Sequence, residues 1–182
     1  MRILVMALVL SACAPISQSL SPVPPGPTDY VENLPPGFSA QKVKADLEEA
    51  IIARFGAAAL KRAQSAEGHV LSRFYQGMPT PPPPDGKPQL PIAALLILEQ
   101  SVWYRAETGA AFRPLTPREQ SEWLSALSDT GPWAEPTYAN PTCTDAGATY
   151  LIVSVPNRPF LLRAANCATP KSERLGLAAI NL

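Results

Sequence analysis

An α+β fold, a small antiparallel sheet of hairpins carrying two helices, is what this sequence predicts. Three observations carry the expectation. A segment beginning at Ser39 repeats apolar residues at helical spacing, a second segment opens on a complete helix-start signature at Thr116, and the stretches between are short, β-rich and cut by proline. The 22 prolines in 182 residues break the chain too often for a long helical bundle. Fifteen basic and fifteen acidic side chains give a formal net charge of zero, with no basic run, so no nucleic-acid partner is expected.

The elements follow in order. Ser39 can cap a helix running to about Ala66, with Val43, Leu47, Ala50, Ile51 and Ala58 on its apolar stripe. Lys42, Asp46, Glu49 and Arg54 lie off that stripe, and Gly56 weakens the middle by about 1 kcal/mol relative to Ala. His69–Tyr75 reads as a short strand. Residues 78–91 form an internal Pro-rich loop whose four consecutive prolines make a rigid spacer. Ile92–Leu98 is apolar throughout and is read as a strand, continuing through Ser-Val-Trp-Tyr toward a turn at Glu107–Ala110. Thr116, Pro117 and Glu119 supply an N-cap, a first-turn proline and a capping box for a helix to about Ser128, stopped by Asp129-Thr-Gly-Pro. Thr149–Val155 and Pro159–Arg163 make a hairpin around Pro156-Asn-Arg-Pro159, and the residues after Cys167 add one short helical turn.

The first residues carry an address. Met1-Arg2 is positive, Ile3–Leu10 is apolar, Ser11-Ala12 are small, and Cys13 follows, which is the layout of a secretory signal. Eight apolar residues span about 12 Å as a helix, too little for a hydrocarbon core of ~30 Å. Leu10-Ser11-Ala12-Cys13 resembles the lipobox of bacterial lipoproteins. The resemblance covers only this motif. It implies removal of a signal peptide, residues 1–12, and a diacylglycerol thioether with further acylation (a palmitate-type anchor) on Cys13. Ala14 rather than Asp after that cysteine favours the outer membrane, facing the periplasm. Residues 13–38 then form a disordered, Pro-rich tether reaching about 75 Å if extended. A single domain, 39–182, follows.

Cysteine usage agrees with export. With Cys13 lipidated, Cys143 and Cys167 remain as an even pair flanking the last hairpin, where a disulfide can close its outer ends in an oxidising compartment.

Chemistry is sparse. His69 is the sole histidine, without a G-x-S-x-G elbow or a Gly-rich oxyanion turn, so no catalytic residue is assigned. One His and two separated cysteines do not make a zinc set, Asp129 and Asp145 are isolated, and no P-loop or dinucleotide fingerprint occurs, so neither a metal nor a cofactor is expected. Glu48 and Glu49 face different ways on one helix. Glu99, Ser101, Trp103, Arg105 and Glu107 would share one face of a single strand. A solvated hairpin side is the plain reading of that face. The functional reading is a partner surface of Trp103, Arg105 and Glu107, since Trp and Arg are enriched among binding hot spots. The resulting expectation is a non-enzymatic envelope lipoprotein that binds an envelope protein or cell-wall component. An inhibitor of an envelope-attacking enzyme is the alternative, and a hydrolase ranks below both.

Overall fold

The computed structural model describes residues 39–75, 90–134, 138–139, 148–166 and 170–182. Cys13, Cys143, Cys167, the leader, the tether and most of the Pro-rich loop lie outside them.

Val43, Leu47, Ala50, Ile51 and Phe55 are the buried residues of helix α1 (Ala40–Phe55), whose N-cap Ser39 accepts from the Lys42 N–H at 3.1 Å. The single helix expected to reach Ala66 is two. Gly56 takes φ 91° and ψ 157°, a region essentially reserved for glycine, and α2 (Ala57–Ser65) restarts from it. The residue expected to weaken or bend one helix separates two.

Among the described residues seven strands form one sheet: β1 (Gly68–Tyr75), β2 (Ile92–Glu99), β3 (Val102–Glu107), β4 (Ala111–Pro114), β5 (Tyr138–Ala139), β6 (Ala148–Ser154) and β7 (Leu161–Asn166). Their order is β4-β3-β2-β1-β6-β7-β5, so β1 is central. All neighbours are antiparallel except the two-residue β5, which runs parallel to β7. The class is α+β, as expected, with more helix than the sequence suggested. Helix α3 (Pro117–Ser128) opens with the anticipated capping box, Asp129 stops it, and its carboxylate accepts from Gly131 N–H at 2.8 Å to start a short α4 (Gly131–Ala134). The chain from Pro170 to Asn181 is a full helix, α5, rather than one turn.

Helices cover both faces. On one, α1 and α2 pack with Leu71, Leu95, Ile97 and Ile152. On the other, Trp123, Leu127, Trp133, Leu175 and Ala179 of α3–α5 pack with Val70, Leu96, Leu151 and Val153. A strand buried on both sides needs no polar alternation, which is why Ile92–Leu98 reads as a featureless apolar run. Gly176 lets α5 lie close on the sheet: a Cβ there would collide with the Thr149 side chain, and Ser72 Oγ donates to the Gly176 carbonyl at 2.9 Å. Among the described residues no helix is long and apolar enough to cross a membrane.

A candidate binding cleft between two strands

The face expected to run from Glu99 to Glu107 does not exist as one strand. Gln100 and Ser101 both take positive φ (50° and 65°) and form a two-residue hairpin turn between β2 and β3. The turn lacks the usual Asn-Gly; Gln100 N–H is instead held by Glu67 Oε1 at 2.8 Å. Glu99 therefore ends β2, bound to Arg62 at 2.7 and 3.0 Å, which holds its carboxyl below the usual carboxylate range.

The expected contact surface needs correcting at its anchor. Trp103 is 3% exposed and stacks edge-on to Trp123 of α3, ring centroids 5.4 Å apart. It belongs to the core because β3 turns its odd residues toward α3, whose Trp123 and Leu127 need a lid. A buried Trp cannot offer its face to a partner. The other two residues of the triad, Arg105 and Glu107, do gather at a cavity.

That cavity opens where β2 and β3 part. The two strands pair only from Leu96–Glu99 against Val102–Arg105. Beyond Leu96, β2 continues to Ile92 bonded to β1, and beyond Arg105, β3 continues to Glu107 bonded to β4. Between them lies a cleft of about 270 Å³. Arg54 and Phe55 reach it from the end of α1 on one sheet face, and Ala179 and Ile180 from the end of α5 on the other. The backbone phase follows from one bond: Leu115 N–H donates to the Trp103 carbonyl at 2.9 Å, so odd residues of β3 turn their peptide groups to β4 and even ones to β2. Tyr104 opposes Ile97, so Ala93 also aims its N–H and C=O toward β3. Level with Ala93 the chain has already left β3 for the turn at Thr108, and Ala93 has no ladder partner on that side.

Charge at the cleft is unevenly satisfied. Arg113 holds Glu107 at 3.2 Å and Glu119 at 2.8 Å, and Glu119 also accepts from Thr116 N–H at 2.8 Å. These bonds, Arg113 first, bring the Glu119 carboxyl down to about 2. Arg105 reaches Glu119 only at 3.9 Å. Arg54 donates from Nη1 to the Pro91 carbonyl at 3.0 Å, its Nε is buried without a hydrogen-bond partner, and among the described residues no carboxylate lies within ion-pair distance of it. Two guanidinium groups thus border the cleft while its carboxylate, Glu107, is already engaged. Sequence reasoning placed Arg54 only off the apolar stripe of its helix; its position at the broken helix end, beside the parted strands, is what marks it.

Elsewhere the candidates stay apart. His69 is half-buried, its pKa lowered by burial, and held near the Ala63 backbone and Lys44 rather than a carboxylate. Glu48 faces Lys44 and Gln64. In the Pro156–Pro159 turn, Arg158 folds back, donating to the Leu127 carbonyl at 3.2 Å beneath Trp133, so the turn is pinned to the fold, though Phe160 beside it is exposed. Among the described residues no three His, Cys, Asp or Glu side chains gather as a metal set would. Neither a protein-family model, nor a curated protein, nor a solved structure matches this chain.

Proposed function

We propose that this chain is a non-enzymatic lipoprotein of the bacterial envelope, cut before Cys13 and held by lipid, whose α+β domain is a binding or assembly module. The observation that carries the binding role is the cleft between β2 and β3, bordered by Arg54, which has no carboxylate partner among the described residues. The lipobox at Leu10–Cys13 supports the anchor, and Ala14 the outer membrane. A bridge between Cys143 and Cys167 fits the same compartment.

Two measurements test this reading. Intact mass of the membrane-extracted protein should carry the acyl adduct, and Cys13→Ser should leave an unlipidated precursor; a processed mass without lipid would overturn the anchor. Labelling of thiols under denaturing, non-reducing conditions should find neither Cys143 nor Cys167. For binding, the tethered domain is used as bait in detergent-solubilised envelopes. A partner captured by the wild type and lost on the double change Arg54→Gln, Arg105→Gln supports the module; equal capture by both rejects the cleft as its site. The inhibitor reading draws on the exposed Phe160, and predicts that Phe160→Ala, not the arginine changes, abolishes capture.

A further inference from the structure

We infer that the β2/β3 cleft receives the carboxylate end of a short, extended peptide with small side chains, a step that rests on reading the domain as a binding module. Four features converge on that chemistry. The volume, about 270 Å³, is at the low end for ligand sites, so a chain end enters and a folded partner does not. The cleft continues a sheet: Ala93 presents an N–H and a C=O with no strand opposite, as an added extended segment needs. Its lining already carries the bulky side chains of Phe55, Ile92, Leu95, Leu96 and Ile180, which leave room in so small a volume for small ligand side chains only. Its uncommitted charge is positive: Arg113 occupies Glu107, Arg105 reaches a carboxylate only at 3.9 Å, and Arg54, bound through Nη1 to the Pro91 carbonyl, has no carboxylate partner among the described residues, so both guanidinium groups can serve a terminal carboxylate.

An internal carboxylate would also meet the arginines. A terminal one fits better, because the chain can stop inside the cleft where α1 and α5 close it from the two sheet faces. Two half-buried guanidinium groups border a cleft whose one carboxylate is engaged, and a bound carboxylate balances their charge.

The test uses the full mature protein in detergent micelles, titrated by calorimetry with tri-alanine and with tri-alanine amide. The free acid should bind about tenfold more tightly than the amide, the usual scale of a charge-assisted hydrogen bond. Arg54→Gln and Arg105→Gln should each reduce the acid to the level of the amide while the thermal melt stays cooperative. Arg105, with only its 3.9 Å ion pair to lose, is the variant safest for the fold. Amide exchange followed by mass spectrometry should slow in segments 92–96 and 106–109 when tri-alanine is bound. Equal binding of acid and amide, acetate binding as tightly as the tripeptide, slowed exchange elsewhere in the sheet, or no heat at millimolar tri-alanine with folded wild type would each overturn the inference. If tri-alanine fails while envelope partners are still captured through Arg54 and Arg105, the binding module stands and only the ligand class falls.

Discussion

Strand β2 has two edges that behave differently. Toward β1 it is paired from Ile92 to Leu98; toward β3 the ladder ends at Leu96. The same residues supply both edges, so composition does not separate them. Their neighbours do. β1 is central, gripped by α1 on one face and α5 on the other, and β2 follows it. β3 is drawn outward, with Trp103 under Trp123 of α3 and Arg113 of β4 tied to Glu119 at the start of α3. A sheet opens where two adjacent strands are each held better by the partner on the far side.

The largest effect on that contrast should come from Trp103→Ala. It removes an almost fully buried indole and its edge contact with Trp123, and a loss of about 3–5 kcal/mol is expected. A urea titration measures it. A loss below about 1 kcal/mol would mean that Trp103 does not fasten β3 to α3, and the account of why the strands part would fail with it.

Local signals were legible and long-range ones were not. The start of α3 could be read because Thr116, Pro117 and Glu119 settle it among themselves within one turn. The last hairpin could be read because Pro156 and Pro159 bracket the turn between two strongly apolar strands. The turn at Gln100–Ser101 was hidden, since neither residue is one that favours positive φ; the structure holds it by a bond from Gln100 to Glu67, 33 residues away in sequence. Helix α5 was underestimated because its use of Gly176 has meaning only against Ser72 and Thr149 of the sheet. Of the cleft, Arg105 and Glu107 were visible as charges on one strand face. Arg54 was not, because its role depends on Gly56 ending α1 beside a ladder that stops early.

Gly56→Ala sharpens that last point. A Cβ at this position would meet nothing within 4 Å, so any cost is backbone conformation alone. With φ 91° and ψ 157°, alanine should lose about 1–3 kcal/mol. The urea midpoint should fall at unchanged m-value, since the change strains the folded chain without altering the surface exposed on unfolding. Arg54 and Phe55 sit immediately before the break, so the same substitution should weaken tri-alanine binding. A neutral Gly56→Ala variant that binds normally would show that α1 and α2 can join without disturbing the cleft.

The smallest effect concerns the network that pulls β3 outward. Glu119 has its carboxyl pKa held near 2, chiefly by Arg113 and then by the Thr116 N–H. A carboxyl depressed on folding stabilises the protein at pH values above its ordinary range near 4.5, and that contribution is lost as pH falls through the folded value near 2. Arg113 is a third exposed, so solvent screens the pair and about 1 kcal/mol is expected at neutral pH. Glu119→Gln keeps a side chain that can still accept from Thr116 N–H but carries no charge. Its deficit in melting temperature relative to wild type should be constant from pH 7 to about 5 and should shrink steadily between about 4.5 and 2. High salt should shrink it at neutral pH as well. If the deficit keeps its size at pH 2.5, the charge of Glu119 is not what fastens β4 to α3. The outward pull on β3 would then rest on Trp103 alone.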